Sequence, residues 1–149
     1  MGLGINLDSL GAGLMKPVGD FGTQPKLRYE DLTEQIIGAA IEVHKAVGPG
    51  LLEAVYEECL CHELKLRGLA FERQMLIPVV YKGVTLDCGY RLDLIAENIV
   101  VLEIKSIERV LPIHEAQLLT YMRLLSKPVG FILNFNVSAL RHGIVRKVL

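Results

Sequence analysis

The stretch Ile99-Val100-Val101-Leu102-Glu103-Ile104-Lys105 sets the terms for the rest of the chain. Its β-branched and apolar residues would fill both faces of a strand, the pattern of a strand buried on two sides. Alternation turns Glu103 and Lys105 to one side and Val100, Leu102 and Ile104 to the other. Taking a carboxylate and an ammonium out of water costs several kcal/mol each unless a metal, a partner or a substrate compensates. An ordinary strand whose last charges meet water fits the same pattern. Glu-x-Lys therefore acquires meaning only from its surroundings.

Immediately upstream lies a strand pair. Phe71 to Tyr81 is rich in Val, Ile and aromatics, Lys82-Gly83 reads as a tight turn, and Val84 to Ala96 as a long second strand. Pro78 puts the first strand at an edge or a bulge. In the second, Tyr90, Leu92 and Leu94 share one face, and Arg91 and Asp93 the other. A two-residue loop at Glu97-Asn98 would set Asp93 opposite Leu102. A three-residue loop, Ala96-Glu97-Asn98 with Asn98 left-handed, is the preferred expectation, with Asp93 opposite Glu103. It gathers Leu92, Leu94, Val100, Leu102 and Ile104 on one core face.

Helices flank these strands. Asp31 followed by Glu34 reads as a helix start, and Ile36, Ile37, Ala40, Ile41, His44 and Val47 continue at helical spacing. His44 lies on that apolar stripe, as a satisfied core histidine or as a site residue. Gly48-Pro49-Gly50 stops the helix. A second runs from near Leu51 to Gly68, with Leu52, Val55, Tyr56, Cys59, Leu60 and Leu64 as its buried face and Glu53 at its edge. A third runs from Pro112 to Leu125, where Gln117 and Tyr121 lie four apart on one face and His114 precedes them by a turn. A Gln among Ile113, Ala116 and Leu118 asks for a hydrogen-bond partner. Pro128 to Phe135 and Ile144 to Leu149 read as the last strands, and Arg141, His142, Arg146 and Lys147 make the C-terminus basic. The order predicts an α/β domain, a mixed sheet flanked by helices.

Composition narrows the function classes. At 149 residues the chain holds one domain. Residues 1–26, broken by glycines and by Pro17 and Pro25, read as a flexible or loosely docked arm, leaving 27–149 as the domain. No apolar run approaches the roughly 18 residues of a membrane span, so no membrane partner is expected. A net charge of −1 argues against non-specific coating of nucleic acid, while a local basic cleft stays open. Three cysteines without framework spacing suit reduced thiols in a cytoplasm. Cys59 and Cys61, beside His62, diverge by about 200° on a helix and suit packing better than zinc. Half the residues are hydrophobic, which predicts self-association as a homodimer.

Glu53, Asp93 and Glu103 offer hard oxygen ligands suited to Mg²⁺ or Mn²⁺, and a lysine on the same face can orient a water. Such a set suits phosphodiester hydrolysis. Asp93…Glu103-Ile104-Lys105 resembles the PD-(D/E)XK nuclease signature, although Leu92 stands where that signature has proline. Gln117-Leu118-Leu119-Thr120-Tyr121 resembles the QxxxY motif of its RecB-type exonuclease branch. Gly50-Leu51-Leu52-Glu53-Ala54-Val55-Tyr56 is similar to the motif of the GxxExxY family, a compact PD-(D/E)XK-like group. The resemblance covers about Leu32 to the C-terminus and implies a restriction-endonuclease-like core. It implies that Asp93, Glu103 and the Ile104 carbonyl bind metal and that Lys105 positions the attacking water. Glu53 would hold metal or water, while Gln117 and Tyr121 steady Lys105 or the phosphate. Arg91, Tyr121 and His44 would contact substrate. The function implied is a metal-dependent nuclease, with DNA expected ahead of RNA. A non-catalytic nuclease-fold subunit, binding nucleic acid or a protein, is the alternative. The acidic pI and the lack of an appended DNA-binding module favour that alternative.

Overall fold

A computed structural model describes residues 25–149, so the arm expected at 1–26 lies outside the described residues but for its last two positions. Helix α1 spans Pro25–Val47. It starts at a proline, whose fixed φ and missing N–H suit a first turn. Asp31 is therefore inside the helix and does not cap it, contrary to the sequence expectation. The chain divides after Gln35, and residues 36–149 form the unit described from here.

Gly48 and Gly50, with φ of +70° and +92°, carry the chain out of α1 into α2 (Glu53–Leu66). The helix begins two residues later than its apolar pattern suggests, and its buried face turns accordingly. Tyr56, Glu57, Leu60, Cys61 and Leu64 are buried. Leu52 and Val55 are exposed instead, and Cys59 is half-buried. Burial pushes the Cys61 thiol up to about 11, the behaviour of a packing residue rather than a metal ligand. Gly68, at φ +73°, ends the element while Leu69 N–H donates to the Leu64 carbonyl (3.0 Å) and Gly68 N–H to that of Lys65 (3.0 Å).

Strands β1 (Phe71–Tyr81), β2 (Val84–Ala96), β3 (Val100–Lys105), β4 (Val129–Asn134) and β5 (Ile144–Val148) form one five-stranded sheet in sequence order. Helix α3 (Pro112–Leu125) connects β3 to β4, and a short 3₁₀ turn at Leu140–Gly143 precedes β5. Only the β3–β4 pair is parallel. The Val100–Lys105 strand, β3, is the middle of the sheet.

Pro78 sits on an edge strand and also at an irregularity, since the β1–β2 register shifts between Ile77 and Val79. Opposite it, Gly89 is required, because a Cβ there would overlap the Ile77 carbonyl. Lys82 and Gly83 both take positive φ, as a two-residue turn of this hand demands.

Pairing of Ala96 with Val100 and of Leu94 with Leu102 sets the register that carries Asp93 towards Glu103, as expected. The loop producing it is Glu97-Asn98-Ile99; a loop of Ala96-Glu97-Asn98 would have set Asp93 opposite Val101, on the same face as Glu103 but two residues short of it. Both Glu97 and Asn98 are left-handed, at φ +51° and +55°. Glu97 tolerates that conformation because its carboxylate accepts the Ala70 N–H (2.5 Å).

One expectation fails. Leu92 and Ile95, three residues apart, enter the same cluster with Val101, Ile132, Leu118 and Met122. Leu92 thus faces α3 and does not share the Leu94, Leu102 and Ile104 surface. The interruption has a local cause. Arg73 pairs with Leu94 and Met75 with Leu92, but Gln74, left-handed at φ +50°, leaves the position opposite Asp93 unpaired. Strict alternation breaks there. Val100, Leu102 and Ile104, outside the α3 cluster, are also buried, and β3 packs against α2.

Candidate active site

β2 and β3 part company at their ends. Beyond Leu94–Leu102 the ladder stops, and side chains take over its hydrogen bonds. Asp93 Oδ2 accepts the Ile104 N–H (2.8 Å), and Glu103 Oε1 accepts the Asp93 N–H (3.3 Å). Two carboxylates thus stand where main-chain carbonyls would otherwise close the sheet. Glu103 is buried and Asp93 half-buried. Burial pushes the Glu103 carboxyl up to about 8, and the Asp93 charge adds to the rise; the Asp93 N–H and Lys105 oppose it. Asp93 is also raised, first by burial and further by Glu57 and Glu53, against the pull of the Ile104 N–H and Lys105. Like charges held close and dry favour whatever brings positive charge between them.

Tyr121 is reached from α3. It is buried, packs edge-on to Tyr90 (5.4 Å between centroids), and its hydroxyl is pushed up to about 12 by burial and by the charges of Glu103 and Asp93. Gln117 lies one turn earlier, half-buried. Its neighbours Ile113 and Ala116 face solvent, so its surroundings are less apolar than the sequence suggests. His114 accepts the Leu111 N–H through Nδ1 (2.9 Å) and serves the helix start.

Glu53 comes from the other helix by way of a braced loop. The fully buried Tyr56 donates its hydroxyl proton to the Gly48 carbonyl (2.6 Å) and accepts the Leu51 N–H (3.1 Å). Leu51 in turn accepts the Ser106 hydroxyl proton (2.6 Å), and Glu53 Oε2 accepts the Ser106 N–H (3.4 Å). The Gly, Glu and Tyr of this motif therefore do separate jobs. The glycines turn the loop, the tyrosine fixes it, and the glutamate arrives beside the residue after Lys105.

Two expected residues stand apart from this group. Arg91 is exposed and donates to the Gln74 carbonyl (3.4 Å). His44 is buried, with Nε2 bonded to the Val137 carbonyl (2.8 Å) and its ring near Phe135, which stacks on Tyr56. Its contacts are those of a core histidine.

Sequence reasoning missed Asn134 and Ser106. The buried Asn134 pairs with Lys105 across the β3–β4 ladder. Its amide donates to the Ile107 carbonyl and accepts the Ile107 N–H (both 3.0 Å), clamping the chain two residues past Lys105. The signal was present: a lone amide inside the apolar run Val129 to Phe135 needs partners.

The family model of the PD-(D/E)XK nuclease superfamily matches residues 30–147. The chain belongs to that superfamily. No curated protein and no solved structure gives a significant match. PD-(D/E)XK nucleases generally use divalent metals, and the donor chemistry here can be tested against that habit. Among the described residues, no three His, Cys, Asp or Glu side chains are grouped to hold an ion. Glu53 holds the Ser106 N–H and acts on Asp93 and Glu103 through its charge. Mg²⁺ needs no such trio, since it keeps several waters and is commonly held by one or two carboxylates. Asp93 and Glu103, hard donors both raised first by burial and further by neighbouring carboxylates, fit such an ion.

Proposed function

We propose that this PD-(D/E)XK protein is a metal-dependent nuclease that hydrolyses nucleic-acid phosphodiester bonds, DNA ahead of RNA. The observation carrying the reading is the opened end of β2 and β3, where Asp93 and Glu103 replace ladder hydrogen bonds within electrostatic reach of Lys105. Asp93, Glu103 and the Ile104 carbonyl would hold Mg²⁺ or Mn²⁺. Bound there, the ion supplies Lewis-acid polarisation of the phosphate and activates water. Lys105 orients the attacking water and offsets negative charge building on the phosphate. Glu53 holds a water from the α2 side, Gln117 and Tyr121 steady Lys105 and the phosphate, and Arg91 meets the strand further out. The braced Gly50, Glu53 and Tyr56 support placing the chain in the GxxExxY group.

Cleavage of end-labelled single-stranded, double-stranded and flapped DNA, and of RNA, with Mn²⁺ tests the proposal. Lys105→Ala should lose about 10²–10³ in rate while keeping its metal response, because lysine is not a ligand. Cleavage undiminished in that variant overturns the mechanism. Thermal melts add a second arm: Mn²⁺ should raise the parent's stability and not that of Asp93→Asn. An equal response in both removes Asp93 from the metal site.

We also propose a two-fold homodimer in a cytoplasmic setting. Exposed Leu76, Val80, Tyr81 and Val84 on the edge hairpin support self-association, and the free thiols of Cys59 and Cys61 suit a reducing compartment. Among the described residues no helix is long and apolar enough to cross a membrane. Sedimentation showing only monomer at micromolar concentration overturns the dimer.

A further inference from the structure

A cleft of about 490 Å³ lies between the last turn of α1 and the segment that precedes β5. Its size is that of an ordinary small-ligand site, roughly 300–1,000 Å³. His44, Lys45, Gly48, Ser138 and Arg141 are among its lining residues, and no carboxylate is. Lys45 and Arg141 are exposed. Among the described residues neither forms an ion pair with an acid. Other cations of the basic C-terminal region are already engaged: Lys147 is paired with Glu115 (2.6 Å), and Arg146 lies over the Phe131 ring.

The cleft is tied to the carboxylate site by the chain itself. Gly48, in its wall, is the residue whose carbonyl Tyr56 holds, and Glu53 is five residues on. Five residues span at most about 18 Å at ~3.6 Å each. That is about five base-pair steps at ~3.4 Å per step. The opposite wall follows β4, whose last residue pairs with Lys105. Both sites therefore sit at the same end of the sheet, joined by a loop that the Tyr56 hydroxyl braces.

We propose that this cleft is a subsite for backbone phosphates of the strand being cut, with Lys45 and Arg141 as the two phosphate contacts. The proposal rests on the nuclease reading, since it supplies that reaction with a second anchoring point away from the reacting atoms.

The test measures binding of a labelled 20-mer, single- or double-stranded, to the full chain in EDTA at several salt concentrations, so that no cleavage intervenes. If each cation neutralises one phosphate, Lys45→Ala with Arg141→Ala should reduce the slope of log K against log[salt] by about 1.4 for single strands or about 1.8 for duplex. Affinity at low salt should fall at least about tenfold, with the melting temperature unchanged because both side chains are exposed. Arg141→Lys should keep the parent slope. A parent that binds with an unaltered slope in the double variant overturns the subsite and leaves the nuclease reading standing. A parent that binds no strand, and cleaves none with Mn²⁺, overturns both. Polyglutamate that competes with the 20-mer as well as unlabelled DNA does would assign the cleft to an acidic protein, and the strand subsite would be wrong.

Discussion

Glu57 and Glu103 are equally buried, each 6% exposed, yet they live in opposite electrostatic surroundings. Glu57 faces Arg73 at 2.9–3.0 Å and accepts the Gln74 amide at 2.8 Å, with Glu58 sharing the guanidinium. Glu103 has one main-chain N–H at 3.3 Å and a second carboxylate as its neighbour. The first cluster is complete as it stands. The second is short of positive charge, and a domain that only needed to fold could have closed the β2–β3 ladder there. A buried acid marks a site when its partners are missing, not because it is buried.

The largest effect should separate the two clusters by activity. Lys105→Ala should cost about 10²–10³ in metal-dependent cleavage, whereas Arg73→Ala should leave cleavage near the parent rate at temperatures where it is folded. Equal losses in both would mean that the Glu57 cluster belongs to the chemistry.

Stability should show the reverse. Arg73→Ala strands a buried Glu57 without its cation, a change that costs 3–5 kcal/mol for fully buried pairs. A guanidinium that is about one-third exposed lowers this to about 2 kcal/mol. For a domain of this size that is a fall of roughly 4–8 °C in melting temperature. An Arg73→Ala protein that melts with the parent would show that Glu57 needs no compensation.

The pH dependence of stability sharpens the contrast. Glu103 titrates near 8 in the fold against 4.5 for an ordinary glutamate, so between those values the native chain holds a proton that the unfolded chain releases. Stability of the metal-free protein should be highest below about pH 4.5 as far as this group is concerned, and fall as pH rises towards 8. The slope from one proton is at most about 1.4 kcal/mol per pH unit. Asp93, also raised, acts in the same direction. Glu103→Gln should flatten the profile, and Mn²⁺ at pH 7–8 should restore the parent's loss. A flat parent profile in EDTA would mean that Glu103 finds compensation within the fold.

Much of this was legible in the residues. The boundaries of β1, β2 and α3 follow from turn chemistry and proline, which act locally. That Asp93 and Glu103 share a face was legible from alternation, but the loop that brings them opposite lies one residue later, because Glu97 gains a partner in the Ala70 N–H that sequence distance concealed. Leu92 was misplaced for a related reason. Left-handed Gln74, twenty residues away in the chain from the Leu94 end of β2, interrupts the alternation. On α2, the apolar look of Leu52 and Val55 misled because the burial of Glu57 depends on Arg73 and Gln74, which arrive on another strand. Tertiary partners decide such positions, and a single sequence does not name them.

The smallest effect should come from the residue that lies between the two clusters on α2. α2 sends Glu53 towards Ser106 at its start and Glu57 towards Arg73 a turn later, with the fully buried Tyr56 between them. Tyr56→Phe keeps the ring stacked on Phe135 and removes only the hydroxyl that holds Gly48 and Leu51. Losing it should cost about 1 kcal/mol, since two partly buried main-chain groups are left short of a partner. The Glu57 cluster should be untouched, because its bonds do not pass through the loop. The site should respond differently. Leu51 and Glu53 lose their fixed approach to Ser106, so cleavage should fall a few-fold while the Mn²⁺ stabilisation, which depends on Asp93 and Glu103, persists. Measuring both on one preparation gives a clear outcome. A variant that loses the Mn²⁺ response along with activity would show that Glu53 reaches the ion itself, and that the braced loop is part of the metal site rather than its support.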